Sequence, residues 1–277
     1  MRDPDKAGHL AAQGVALIEG DLRNPSALQQ LVSDSDIVIH GAGAVRGSSQ
    51  QAFDQVNVAG TATLLSAVKS QPGQPRFLLL SSLAAREPDL SWYAHSKRDG
   101  ERLLEPETDL DWVILRPPAV YGPGDKEMLP IFQWMARGIA FVPGSAEARI
   151  SLIHVCDLVN AIIACLNTRD TRQQTLTLCD GKPDGYNWRE LADIAGAIYQ
   201  RRVRLWRVPA WLLDTTARLN VAIAGITGGA PMLTPPKLRE LRHHDWVVDN
   251  EAITAASGWT PTIGLREGLQ LLRNSAL

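Results

Sequence analysis

The sequence predicts a doubly wound α/β fold, a parallel sheet with helices on both faces, followed by a smaller and mostly helical lobe. Three observations carry this. Short apolar runs bounded by turn residues alternate with longer stretches of helical period. The alternation stops after Asp180-Gly181-Lys182-Pro183-Asp184-Gly185, and helical patterns dominate from there. One apolar run, Phe77-Leu78-Leu79-Leu80, ends in two hydroxyls, Ser81 and Ser82, at the strand end where open α/β sheets bind ligands.

In chain order, Val15–Glu19 reads as the first strand. Asn24 before Pro25 is a helix N-cap with proline at the first helical position. Ile37–His40 is a strand, and Phe53, Val56, Gly60, Leu64 and Val68 mark one face of a helix from about 51 to 70. Phe77–Leu80 is the next strand, with a helix from Ser91 to Leu104 after it. Trp112–Leu115 and Thr175–Cys179 complete the strand set. Asn187 and Glu190 have capping-box spacing and open the lobe. The boundaries expected are 1–180 for the sheet domain, with 121–149 lent to the lobe, and 181–277 for the lobe itself. Five of the eight tryptophans lie there, at Trp188, Trp206, Trp211, Trp246 and Trp259, and are read as core fillers ahead of pocket lining. The apolar stretch Leu219–Met232 is too short to span a membrane; its first half is read as a buried helix, and the stretch is a candidate for touching lipid or a lipid-like substrate.

With 277 residues, 45% of them hydrophobic, the chain can bury a full core, and disorder is excluded as its main state. Lys+Arg at 28 against Asp+Glu at 30 leaves a net charge of −2, so a nucleic-acid partner is not expected. Cys156, Cys165 and Cys179 have no CxxC spacing and are read as reduced, buried thiols. The charged Met1-Arg2-Asp3-Pro4 start carries no apolar signal run, so a cytoplasmic location is expected. The six histidines show no metal-ligand spacing, and no metal is expected.

Eleven residues after Ser82 comes Tyr93-Ala94-His95-Ser96-Lys97, and the i, i+4 spacing sets Tyr93 and Lys97 on one helix face. An ammonium beside a phenol favours the phenolate, so Lys97 is expected to lower the Tyr93 pKa. Tyr93 would then exchange a proton with a substrate hydroxyl or carbonyl oxygen that Ser82 orients. Ser81 is the alternative if the strand ends one residue earlier.

Together with that trio, Gly20-Asp21-Leu22, Val38-Ile39-His40-Gly41-Ala42-Gly43, Val56-Asn57-Val58-Ala59-Gly60-Thr61, Leu115-Arg116-Pro117-Pro118-Ala119-Val120-Tyr121-Gly122-Pro123-Gly124-Asp125 and Ile153-His154-Val155-Cys156-Asp157-Leu158 make the chain resemble the extended short-chain dehydrogenase/reductase superfamily, in its NAD-dependent epimerase/dehydratase family. The resemblance implies a Rossmann-like fold, an NAD or NADP cofactor, a small-molecule substrate, and redox chemistry at a carbinol or ketone carbon. It implies that Asp21 and Leu22 meet the adenine, that Gly41, Ala42 and Gly43 let backbone approach the dinucleotide, and that Lys97 also bonds the ribose. Pro117 and Val120 would border the nicotinamide. Asn57 would support the Tyr93–Lys97 relay, or merely kink its helix. A homodimer is a candidate assembly, and membrane contact is otherwise not expected. A non-catalytic nucleotide-binding or structural member of the family, or an inert shortened chain, is the second reading.

Two departures from the family pattern shape the expectations. No GxxGxxG turn, with its strand and helix, precedes Gly20, so the chain is expected to be an N-terminally truncated version, roughly 30 residues short, of an enzyme that carries that turn. Arg2 would then lie near a 2′-phosphate and hint at NADP. Where nucleotide-sugar enzymes of the family carry a phosphate-contacting arginine, this chain has Ile150, with Arg149 one place earlier. That shift turns the side chain to the other face of a strand and favours a less charged alcohol or ketone.

Overall fold

The computed structural model describes residues 7–227 and 229–276, so Arg2 lies outside the described residues. Up to the end of the sheet the elements are α1 (Gly8–Ala11), α2 (Pro25–Val32), β1 (Ile37–His40), α3 (Gln50–Asn57), α4 (Ala59–Lys69), β2 (Arg76–Leu80), α5 (Trp92–Arg102), β3 (Trp112–Arg116), β4 (Ala119–Tyr121), α6 (Leu129–Ala136), β5 (Ile139–Val142), β6 (Arg149–Ile150), β7 (Leu152–His154), α7 (Val155–Leu166) and β8 (Gln174–Thr177). Then follow α8 (Trp188–Tyr199), β9 (Arg204–Arg207), α9 (Ala210–Thr227), α10 (Pro235–Leu241), β10 (Asp245–Trp246), α11 (Glu251–Ser257) and α12 (Leu265–Ala276).

The central sheet is parallel, in the order β1-β2-β3-β8. In β2 and β3 side chains alternate with period two between two apolar layers, whereas β1 buries Val38 and His40 and leaves Ile37 and Ile39 exposed on its other face. Val38, Phe77, Leu79, Trp112 and Ile114 meet α2 and α4 through Leu28, Val32, Leu64 and Val68. Leu78, Val113, Leu115 and Leu176 meet α7 through Leu158, Ala161 and Cys165, and Ile253 and Trp259 from the chain's last quarter close the same layer. The α/β, Rossmann-like class read from the alternation is therefore the fold. A third cluster joins Tyr121, Phe132, Met135 and Ala140 to Leu191, Ala195 and Ile198 of α8 and to Leu265, Leu269 and Leu272 of α12. Hence segment 121–149 packs on the helices beyond 187, while α11 returns to the sheet.

Several expectations need correction. Val15–Glu19 is not a strand: the first strand among the described residues is β1. The helix expected over 51–70 breaks at Val58, with φ −106° and ψ −65°. The Asn57 carbonyl there accepts the Thr61 hydroxyl at 2.7 Å, and such back-bonding bends helices. The last strand stops at Thr177, two residues early. In the lobe, Trp259 is buried, but Trp206 and Trp211 are 60% and 69% exposed, so they fill no core. The first half of Leu219–Met232 is helical yet not buried: in α9 only Ala217 and Ala224 are buried, and Ile226 is 88% exposed. Cys156 is exposed, whereas Cys165 and Cys179 are buried thiols. The N-cap at Asn24, bonding Ala27 N, and the capping box of Asn187 and Glu190 form as their spacing demands.

The crossing of α3 and α5 positions the site, and glycine makes it possible. A Cβ on Gly100 would stand 2.7 Å from the Asn57 carbonyl oxygen, closer than side chains come. Gly100→Ala should destabilise the fold by about 2 kcal/mol through overpacking. The check is a lowered urea midpoint at constant slope; an unmoved midpoint would mean the helices do not approach this closely.

Candidate active site

Strand β2 ends at Leu80, and the next two serines point to different tasks. The buried Ser81 donates to Glu101 Oε1 at 2.5 Å and is committed to the core. Ser82 accepts from Ala84 N at 3.2 Å, as cap of a short 3-10 turn, which leaves its proton for the Tyr93 oxygen. Of the two hydroxyls, Ser81 is thus engaged with Glu101, while Ser82 is the one that acts on Tyr93.

Helix α5 starts where Ser91 caps Ala94 N at 3.0 Å. Its geometry brings Lys97 to the end of β2, where Nζ donates to the Leu80 carbonyl at 2.8 Å. Burial lowers the Lys97 pKa to about 8, against the opposing pull of Glu101. Burial pushes Tyr93 the other way, up to about 12; the Ser82 hydrogen bond opposes this, and the Glu240 charge reinforces it. The expectation that Lys97 would bring the phenol down is therefore reversed in the ligand-free protein, since desolvation of the phenolate outweighs any help from the ammonium.

Asn57, buried on the inner side of α3, spans three partners. Its Oδ1 accepts from Ala44 N at 2.7 Å, and its Nδ2 donates to Ala44 O at 3.0 Å and to Ser96 Oγ at 2.8 Å. Ser96 in turn donates to the Tyr93 carbonyl at 2.9 Å. The amide thus ties the loop after β1 to α5 one residue before Lys97, with its oxygen and its nitrogen both engaged. Next to it, Thr61 donates to Asn57 O, so its oxygen accepts from His40 Nε2 at 2.9 Å. Burial, helped by the Lys97 charge, depresses the His40 pKa to about 4, and the ring is a neutral donor.

Beside the loop after β1 lies a cleft of ≈ 490 Å³ that brings together Gly20, Asp21, Leu22, Gly41, Ala42 and Gly43. A Cβ on Gly41 would enter open space, and one on Gly43 would stand 3.2 Å from Asn57 Oδ1 and 3.5 Å from Lys97 Nζ. The small residues thus keep the floor bare next to the ammonium. The Asp21 carboxylate holds Arg23 at 2.6 Å. Pro117 and Val120 lie outside this lining. Pro117 instead accepts from Leu83 N at 2.8 Å and steadies the turn carrying Ser82, and Val120 packs with the Ile153 layer. On the other side of Tyr93 a narrow crevice is walled by Val45, Phe53, Trp92, Pro231, Met232 and Lys237.

Three residues around the site, Glu101, Lys237 and Glu240, carry no motif and are missed by reading the chain. Glu101 is fully buried and takes Arg116 through both oxygens, at 2.8 and 2.5 Å, besides Ser81. Its only signal is its position four residues after Lys97. Lys237 stands 5.4 Å from the Tyr93 ring centroid and pairs with Glu240, which accepts from Ser91 Oγ at 2.5 Å. No local pattern links α10 to α5. Arg149 reaches the 184–185 backbone and Glu190, at 3.5 Å, rather than either pocket.

Residues 2–179 match the family model for the NAD dependent epimerase/dehydratase family. The chain is 35% identical over 254 residues to a ceramide reductase of Caulobacter vibrioides, covering 92% of this chain and 78% of that one. Among solved structures it resembles UDP-glucuronic acid 4-epimerase from Bacillus cereus in complex with UDP-glucuronic acid and NAD, with TM-score 0.72 and 18% identity over 96% of this chain and 84% of the other. It also resembles RMD from Pseudomonas aeruginosa complexed with NADPH, with TM-score 0.70 and 20% identity over 94% and 88%.

Two outcomes are expected from the buried groups. Removing Glu101 by Glu101→Ala strands the Arg116 guanidinium, and should cost about 3 kcal/mol of unfolding free energy in urea, since a buried ion pair that loses one partner is left uncompensated. A variant as stable as the parent would refute the role. For His40, the unfolded ring binds its proton near pH 6.5 and the folded ring only near 4. Its stabilising effect is complete above pH 6.5 and is lost as pH falls through that window, on the order of 3 kcal/mol in all. His40→Gln should flatten the acid limb of the stability profile by that amount; superimposable limbs would sink the assignment.

Proposed function

The chain belongs to the NAD dependent epimerase/dehydratase family, and within it we propose that this protein reduces a ketone, or oxidises the matching secondary alcohol, with NAD or NADP through Ser82, Tyr93 and Lys97. One observation carries the reading. Lys97 Nζ bonds the last carbonyl of β2 and lies 3.5 Å from where a Cβ on Gly43 of the cleft would stand, and Tyr93 interacts with Ser82 just past the end of the same strand.

The residues present suit a dinucleotide. Gly41, Ala42 and Gly43 give backbone and a methyl where the cofactor would approach, Asp21 and Leu22 stand at the far end for the adenine, and Lys97 is in reach of a ribose. A bound reduced nicotinamide supplies the hydride for the carbonyl carbon. As that carbon gains the hydride, the carbonyl π pair moves to oxygen and Tyr93 O–H delivers its proton there. With a pKa near 12 Tyr93 holds that proton across the physiological range. Ser82 donates a hydrogen bond to the same oxygen and fixes its approach. Lys97 keeps α5 docked on Leu80 and lends positive charge as the phenolate forms. Asn57 positions Tyr93 and Lys97 through Ser96 and Ala44 without touching the reacting atoms.

A substrate with a long apolar part is favoured over a nucleotide sugar. Arg149 is engaged with Glu190 and the 184–185 backbone and so is not free for a substrate phosphate; the crevice beside Tyr93, about 10 Å³ and walled by Ser91, Thr234 and Lys237 as well as by apolar side chains, holds no more than a water-sized group. The likeness to a ceramide reductase agrees with an apolar substrate. The compartment we propose is the cell interior, with the three cysteines reduced. No helix of the described residues is long and apolar enough to cross a membrane.

Tyr93→Phe removes the proton donor while sparing the cleft. Oxidation of NADPH or NADH should be followed with long-chain ketones and with nucleotide sugars, and dinucleotide binding by titration calorimetry. The variant should lose about 10²- to 10⁴-fold in turnover and bind the dinucleotide as the parent does. Turnover near that of the parent would overturn the assignment. A parent that binds dinucleotide but turns over nothing would favour the non-catalytic reading.

A further inference from the structure

Helix α9 is apolar on both of its sides. One side, Ala217 and Ala224, is pressed on the protein, and the helix is pinned by Asn220 Nδ2 to Leu233 O at 3.3 Å and by Asp214 to Arg242 at 3.0 Å. The opposite side carries Leu212, Leu219, Ile223 and Ile226 at spacings of seven, four and three residues, which set them in one stripe along the helix. Their exposures are 43%, 56%, 56% and 88%. Even the hydroxyls on this helix turn inward: Thr215, Thr216 and Thr227 each donate to the carbonyl four residues back, at 2.7, 2.8 and 3.0 Å. A face so arranged asks nothing of water.

The stripe does not end alone. Trp211, in its first turn, is 69% exposed, and across Pro209 stands Trp206 of β9, 60% exposed. Trp206 makes an edge contact with Phe141 at 6.4 Å, and Phe141 with Trp134 at 5.2 Å, so a ladder of exposed rings runs off the end of the helix. Positive charge surrounds it. Residues 200–227 hold Arg201, Arg202, Arg204, Arg207 and Arg218 against the single acid Asp214, five minus one, or +4, in a chain whose total is −2. Those five arginines are exposed. Asp214 is itself occupied by Arg242.

We propose that this face rests on the surface of an anionic lipid bilayer. The stripe and the tryptophans enter the boundary between head groups and acyl chains, and the arginines meet the phosphates. Charge decides for lipid over a second copy of the chain. A two-fold pairing through this patch would set the same +4 cluster against itself, whereas anionic head groups complement it. Docking also has a local consequence. The segment that leaves α9 supplies Pro231, Met232 and Lys237 to the crevice beside Tyr93, so a docked α9 brings the wall of that crevice to the bilayer. The docking itself does not depend on the redox assignment, and its test needs no substrate.

The test is flotation of the chain with phosphatidylcholine vesicles, with or without about 30 mol% phosphatidylglycerol, at about 0.05 and about 0.5 M NaCl. Binding to the anionic vesicles at low salt is expected, with Trp206 and Trp211 fluorescence shifting to the blue. Leu219→Glu combined with Ile223→Glu, and separately Arg204→Glu combined with Arg207→Glu, should each weaken partitioning by about tenfold or more. All four positions lie outside the buried core, so thermal unfolding by circular dichroism should stay at the parent value and identify any variant that misfolds. No flotation and no spectral shift of the parent would overturn the proposal. So would equal binding to neutral vesicles at both salts, parent-like binding by both folded variants, or a sedimenting dimer that the Leu219→Glu/Ile223→Glu chain fails to form.

Discussion

The site hangs on one buried carboxylate. Glu101, with no exposed surface, joins the end of β3 through Arg116, the end of β2 through Ser81, and its own helix through Arg98. Taking that charge out of water is unfavourable unless each oxygen finds a donor, so the carboxylate fixes the position of α5 against two strand ends at once. Everything chemical on the helix inherits that placement. Lys97 lies one turn before Glu101 and reaches Leu80; Tyr93 lies one turn further back and reaches Ser82. The same contact explains why the adjacent serines differ, since Ser81 is absorbed in anchoring and Ser82 is left facing the ring.

Three ionisable groups around this anchor share a tendency. His40, Lys97 and Tyr93 are all shifted toward their uncharged forms by burial. A pocket that disfavours charge in its own side chains is poorly screened, so any charge that enters with a ligand acts there at short range and with little loss to solvent. Gly43 is the cleft residue that stands next to this group, since a side chain there would press on Asn57 Oδ1 and Lys97 Nζ.

Much of this was legible from the residues. The strand that ends in Ser81-Ser82, the Tyr93-to-Lys97 spacing and the small residues after His40 all depend on local pattern, and the structure assembles them at one sheet edge. What reading along the chain misses depends on neighbours far away in sequence. Val15–Glu19 has the composition of a strand but is not one among the described residues, since composition alone does not set a ladder. The Tyr93 shift was read with the wrong sign because the ammonium is visible in the sequence, while desolvation and Glu240 are not. Tryptophan composition favours core for Trp206 and Trp211, yet both stand more than half exposed. Glu101, Lys237 and Glu240 carry no motif at all; Glu101 gains its role from the ends of β2 and β3, and Lys237 and Glu240 gain theirs from the crossing of α10 over α5.

That crossing also bears on how the protein is made. Ser91, which starts α5, is bonded to a residue 149 positions later, Arg86 to one 161 later, and Asp157 to one 105 later. Contacts this distant in sequence raise contact order and slow folding, because long loops must close before they are rewarded. On a ribosome the local N-cap of α5 and its Glu101 anchor can form early, whereas the bond from Ser91 to Glu240 waits until residue 240 has left the exit tunnel. A nascent chain halted before α10 would therefore hold α5 against the sheet while the Lys237 and Glu240 side of Tyr93 stays open.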